Sequence, residues 1–252
     1  MKVFPSGAAV IENGELSQTE GTRRFRVSIS RSMGARDIAQ FVSAYSEGVS
    51  AARRNPVGEE ALYVVKGTGT CYIDGYSYAL VPGTAIYVPP GSVYQVENAA
   101  EPRSVTALEI VSVCCPEDED TEIGTVPVAR AAQDTKPFRT VHEDDVEAIA
   151  AGDRSFKLLV NQDLGAHRIT QFVGVIPPGR APMHHHTYEE AIFIIEGEGR
   201  LHTNDGDGEF ESGSSIYLPR LVSHCLENTG STDMRVLGVF HPSGSPAALY
   251  DD

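Results

Sequence analysis

The segment Gly179-RAPM-His184-His185-His186-TYE-Glu190-AIFIIE-Gly197 places three consecutive imidazoles and a carboxylate at constrained spacing. On an extended backbone alternate side chains share a face, so His184 and His186 point one way and His185 the other. Glu190 has the same even parity as the pair. Downstream, Gly213-SSIYL-Pro219-RLVS-His224-CLE-Asn228 supplies a third imidazole beyond a turn-rich return segment. Three neutral imidazoles and one carboxylate suit a divalent ion such as Mn, Fe, Co, Ni or Zn, leaving one or two positions open to water or substrate. His184, His186, Glu190 and His224 are therefore the expected ligands of one divalent transition metal per chain. A purification tag would be a longer, terminal run, whereas this triplet is internal and followed by Glu, Pro, His and Asn at motif distances.

Both segments resemble the two signature motifs of the cupin superfamily. The first has Gly, a His-x-His pair, a Glu after three or four residues and a Gly after six more, here with one residue fewer than usual between Gly179 and His184. The second, Gly-x5-Pro-x-Gly-x2-His-x3-Asn, is met at Gly213, Pro219, His224 and Asn228, with Leu221 where the family has Gly. That change concerns a turn rather than a ligand. The resemblance implies a small jelly-roll β-barrel holding one metal inside.

An internal repeat extends this to the whole chain. Phe25, Gly34, Ala35, Ile38, Gln40, Phe41, Val42 and Gly48 recur as Phe156, Gly165, Ala166, Ile169, Gln171, Phe172, Val173 and Gly179. After a one-residue slip, Glu59-Glu60-Ala61-Leu62-Tyr63 returns as Glu189-Glu190-Ala191-Ile192-Phe193, and Gly83, Pro89 and Asn98 return as Gly213, Pro219 and Asn228. The chain is thus identified as an all-β bicupin of two tandem jelly-roll barrels. Its expected units are an N-terminal barrel at 1–115, an acidic linker at 116–145 and a C-terminal metal-binding barrel at 146–252. Its 252 residues suit two such modules, and 24 glycines with 15 prolines point to many turns rather than long helices. Strands are expected at 61–66, 71–80, 85–88, 105–113, 169–176, 191–196, 215–218 and 234–240. The Pro116-EDED run reads as a solvated connector, with a short helical turn open to Asp144–Ala150.

The copies differ where it matters chemically. Arg53, Arg54, Asn55 and Pro56 stand opposite the His cluster and Tyr94 replaces His224, so only Glu60 survives in the first copy. Arginine has no lone pair to donate at neutral pH, and the N-terminal barrel is expected to be metal-free. Of eight histidines, His142 lies in the connector and the rest in the second module. The first barrel reads either as a structural partner or as an anion site using Arg53 or Arg54 for a carboxylate. Gln171, Arg180, His202 and His241 are candidate substrate contacts near strand ends in the second module, although such residues are often surface decoration.

A formal net charge of −15 argues against nucleic acid and anionic membrane surfaces. No stretch approaches the roughly 18 apolar residues of a membrane span, and a polar start without an apolar leader suggests a cytoplasmic protein. Cys71, Cys114, Cys115 and Cys225 form no CxxC pair and read as reduced thiols, Cys225 facing away from its neighbouring ligand. Resemblance to other bicupins implies a homodimer with barrel edges and the N-terminal segment as contacts. It also implies an enzyme acting on a small polar molecule, with a dioxygenase-type oxidoreductase ahead. An O2-independent isomerase, decarboxylase or hydrolase, or a non-catalytic binding module, stands as the alternative. The overall layout also resembles the ureidoglycine aminohydrolase family, but that family arranges Glu and His differently around its metal, so its activity does not carry over.

Overall fold

Val, Ile, Tyr and Phe runs punctuated by Gly, Pro and Asp fold into four antiparallel sheets in a computed structural model that describes residues 1–98, 107–116, 121–124 and 135–246. Among these residues there is no α-helix, only three 3-10 turns. The run expected as one strand at 71–80 is a hairpin, Gly69–Ile73 and Tyr76–Leu80. Its reversal uses Asp74 and Gly75 at φ of 50° and 86°, the Asp-Gly pairing that a tight two-residue hairpin favours. The acidic run 117–120 and the start of the expected strand at 105–106 lie outside the described residues. In place of the helical turn expected at Asp144–Ala150 there is a 3-10 turn at Glu143–Asp145, and Ile149–Ala151 is a strand.

Each module is a pair of facing sheets around its own apolar core. In the first, Leu62, Val64, Ile86 and Ile110 of a seven-stranded sheet meet Cys71, Ile73, Tyr94 and Val96 of a six-stranded one. In the second, Ile192, Ile194, Ile216 and Val236 of an eight-stranded sheet meet Leu201, Phe210 and Leu226 of a four-stranded one. The larger sheets then pack against each other through Ala61, Ala85, Tyr87, Val111, Ala191, Phe193, Tyr217 and Val239. The alanines let the sheets approach closely, and burial of each large apolar side chain contributes about 1.5–3 kcal/mol.

The modules exchange edge strands. Lys2–Val3 and Ala9–Ile11, expected within the first unit, extend the second module's sheet by pairing Ala9–Ile11 with Ser215–Leu218. Thr140–His142, expected as linker, pairs with Thr84–Val88 of the first. Each short strand covers a sheet edge whose unpaired N–H and C=O groups would otherwise be exposed. Phe4, Ala8 and Val10 accordingly lie in the second module's core.

Two equivalent glutamates lock the modules together. Glu189 accepts backbone N–H bonds from Arg36 and Asp37 at 3.1 and 2.7 Å, and the Tyr217 hydroxyl donates to it at 2.8 Å. Glu59 reciprocates, accepting from His167 and Arg168 of the second module, each at 2.9 Å. Both carboxylates cap the backbone just after a 3-10 turn of the opposite module, Arg31–Met33 and Gln162–Leu164. Glu143 adds a third tie, receiving Tyr63 from one module and Arg235 from the other.

Candidate metal centre

His184, His186 and His224 meet in the second module, His224 buried, His186 half-buried and His184 exposed, with one ring nitrogen of each within 4.8 Å of the others. Two of the three are fixed by main chain. His184 and His224 form an isolated β-bridge, and His224 begins the strand His224–Asn228, in which Thr203 is its cross-strand partner. Nδ1 of His184 lies 3.1 Å from the Pro182 carbonyl and Nδ1 of His224 lies 2.7 Å from that of Val222. A carbonyl can only accept, so each Nδ1 carries the proton and each Nε2 keeps a free lone pair.

Burial keeps these rings neutral. It is the main cause that lowers His186 to about 3 and His224 to about 4, with the neighbouring imidazoles adding to the effect on His186. His184 is lowered in the same way, with Arg154 and His185 contributing and the bond to Pro182 opposing. Glu190 leaves its strand beside them, its Oε2 3.9 Å from His186 Nε2. Burial pushes its carboxyl up to about 8, so without a cation it is a neutral acid at pH 7. The donor chemistry fits a divalent ion: imidazoles already deprotonated, tautomers preset, and one carboxyl that a positive charge would ionise.

Aromatic side chains line the site. Tyr188 stacks on His186 with centroids 4.4 Å apart and on Phe240 at 4.2 Å, and Phe172 packs against Phe240 and Phe156. Arg154, whose Nη2 donates to the Leu226 carbonyl at 2.9 Å, contributes a cation near His184. None of these was singled out from sequence, although Phe156 and Phe172 belong to the repeat.

The four residues expected to touch substrate lie elsewhere. Gln171 pairs across strands with Val160 and Val239, both in the core between the modules, so its amide faces away from the metal ligands. His241 pairs with Glu189 at that same seam, its Nδ1 2.9 Å from the Arg168 carbonyl. His202 follows the inward Leu201 and points outward, held between Asp207 and Glu227 at 2.7 and 2.6 Å. Arg180 is exposed on a two-residue edge strand opposite Glu227. Strand parity says which residues share a face, and at these positions the buried face is the inter-module one or the chosen face is the outer one.

In the first module the equivalent positions hold no such cluster among the described residues. Asn55 caps the turn at Val57 and Gly58, and Tyr94 donates to Glu60 at 3.0 Å. Arg54 pairs with Glu122 at the surface, whereas Arg53 is buried against Glu20 at 2.9 Å. All four cysteines are free and buried, and no helix of the described residues is long and apolar enough to cross a membrane.

The cupin domain family matches twice, over residues 43–111 and 172–240. The oxalate-binding protein of Thermotoga maritima is 38% identical over 66 residues, which is 25% of this chain and 54% of that protein. The chain spans about half the length of the curated relatives it matches. Among solved structures, protein Ylba of E. coli superposes with a TM-score of 0.73 at 16% identity, covering 95% of this chain and 93% of that one. A mutant oxalate decarboxylase of Bacillus subtilis superposes at 0.75 and 14%, covering 94% and 78%. At such identities the likeness shows the fold.

Proposed function

The chain belongs to the cupin family, and from that premise we propose that it is a metalloenzyme acting on a small organic acid, with one divalent transition metal in the second module. The observation that carries this reading is the convergence of three imidazoles, two with main-chain-fixed tautomers, in one copy of a duplicated fold whose other copy has Arg53, Asn55 and Tyr94 at those positions. His184, His186, His224 and Glu190 would hold the ion, which supplies Lewis acidity and a binding point for an anionic substrate.

The chain's own groups do the rest. The imidazoles donate without first losing protons, and ionised Glu190 lowers the net charge of the site from +2 towards +1. Tyr188, Phe172 and Phe240 cover one side of the site and offer flat apolar surface to the substrate's carbon skeleton. Arg154 stands where a substrate carboxylate could receive a second, charge-assisted contact. Dioxygenase-type oxidation is the leading reaction, because a low-charge metal in an aromatic enclosure suits an organic acid and O2 together. O2-independent decarboxylation is the second reading, supported by the likeness to an oxalate-binding protein and, in fold, to an oxalate decarboxylase. Oxygen uptake and CO2 release by the metal-loaded chain, over a panel of oxalate, 2-oxo acids and aromatic acids, tests both. Oxygen uptake with an acid supports the first, CO2 without oxygen uptake the second, and neither with any acid contradicts the enzyme reading.

A further inference from the structure

The module without imidazoles has a cavity of its own, about 520 Å3, walled by Phe25, Val27 and Phe41 and containing Glu20, Arg23 and Arg53. Arg23 and Arg53 are 2% and 3% exposed. They occupy the positions that the repeat assigns to Arg154 and His184 in the other module. Arg53 and Arg23 both direct Nη1 to the same oxygen, Oε2 of Glu20, at 2.9 and 3.3 Å. Arg23 is further oriented by Ser43, at 3.0 Å from its Nε, and by the Phe25 ring, 4.2 Å from its guanidinium. Two buried, pre-oriented arginines converging on one carboxylate are the arrangement that recognises a carboxylic acid.

Glu20 differs from its partners in being replaceable. It ends the three-residue edge strand Gln18–Glu20, which pairs on one side only, and its side chain is 24% exposed. We propose that the first module binds a small monocarboxylate with an apolar body, whose carboxylate takes over Arg23 and Arg53 as Glu20 turns out to solvent. The body lies between Phe25, Phe41 and Val27, in a volume within the usual range for small-molecule sites. Glu20, which lines the same cavity, disfavours a second carboxylate. This site is independent of the metal centre.

The test uses benzoate with the metal-free two-module chain carrying His224→Ala, so that the second module's centre is disabled. Calorimetric titration is expected to show one benzoate per chain, and adding Glu20→Gln is expected to tighten it about tenfold by removing the competing charge. Benzamide, with the same body and no charge, and phthalate, with a second carboxylate, are expected to bind at least about tenfold more weakly. Arg53→Met is expected to abolish binding in a chain that circular dichroism shows to be folded, and the Glu20→Gln and benzamide results stand without that variant. The proposal is overturned if benzoate binds the unsubstituted chain but not the His224→Ala chain, if neither binds it, if Glu20→Gln leaves affinity unchanged or weaker, or if benzamide binds as well as benzoate.

Discussion

His184 and His224 are joined through their backbones as well as through the site they face: the amide of each donates to the carbonyl of the other, at 2.9 and 2.8 Å. The separation of these two imidazoles is therefore set by a β-bridge and not by a free loop. Side-chain replacement leaves that bridge intact. His184→Ala is expected to weaken metal binding at least about tenfold while shifting the metal-free melting temperature by less than about 3 °C. A large loss of metal-free stability would mean that the ring serves packing rather than ligation.

Glu190 and the histidines titrate in opposite directions. In the metal-free fold Glu190 keeps its proton to about pH 8, against 4.5 for an ordinary glutamate. The native state holds the extra proton between those values, so this group's contribution to stability declines as pH rises through that window. His186 and His224 stay neutral down to about 3 and 4, against 6.5 ordinarily. There the unfolded chain binds more protons, and stability declines as pH falls below 6.5. Metal uptake at pH 7 should therefore release about one proton, from Glu190 and not from the imidazoles. Calorimetry in buffers of different ionisation enthalpy measures it, and Glu190→Gln should remove it. Proton release unchanged in that variant would assign it to another group.

Leu221 stands where the family motif has glycine, and its backbone is left-handed, at φ 63°, with the side chain 66% exposed. A left-handed conformation costs an L-residue roughly 1–2 kcal/mol, partly offset in glycine by greater unfolded-state freedom. Its N–H also donates to the His186 carbonyl at 2.7 Å, tying the turn to a ligand. Leu221→Gly is expected to raise stability by up to about 1 kcal/mol in urea denaturation. A destabilisation would show that the exposed side chain makes a contact of its own.

Glu59 and Glu189 each accept backbone N–H groups of the opposite module. An amide in place of either carboxylate loses charge-assisted bonds and turns an NH2 towards donors. Glu59→Gln and Glu189→Gln should each cost about 1.5–3 kcal/mol and leave bound metal unchanged. Loss of metal in Glu189→Gln with stability preserved would relocate that residue to the site.

The cluster of three imidazoles and the duplication were legible because both depend on spacing. His184 and His186 are two apart in extended chain, and His224 sits at a fixed distance behind Pro219. The inter-module contacts of Glu59 and Glu189 were hidden by their neighbours Glu60 and Glu190, which stand at the motif position, while the adjacent position turns to the other sheet face. The exchange of Ala9–Ile11 and Thr140–His142 had no local signal, since three-residue strands do not identify a partner. The surroundings of Gln171, Arg180, His202 and His241 were not legible, because polarity near a strand end is common to pockets, seams and outer faces.

The Glu60–Tyr94 hydrogen bond, 3.0 Å and buried, is the first module's counterpart of the Glu190 site. Glu60→Gln should lower the melting temperature and leave metal content unchanged, because the buried Tyr94 hydroxyl loses the carboxylate it donates to. Loss of bound metal would mean that the first module contributes a ligand.

The most direct measurement is elemental analysis of the chain purified under anaerobic conditions, alongside His224→Ala and Arg53→Met. One transition metal per chain is expected, with most of it lost in His224→Ala and all of it kept in a folded Arg53→Met. Two ions per chain, or one that survives His224→Ala, would contradict a single centre in the second module.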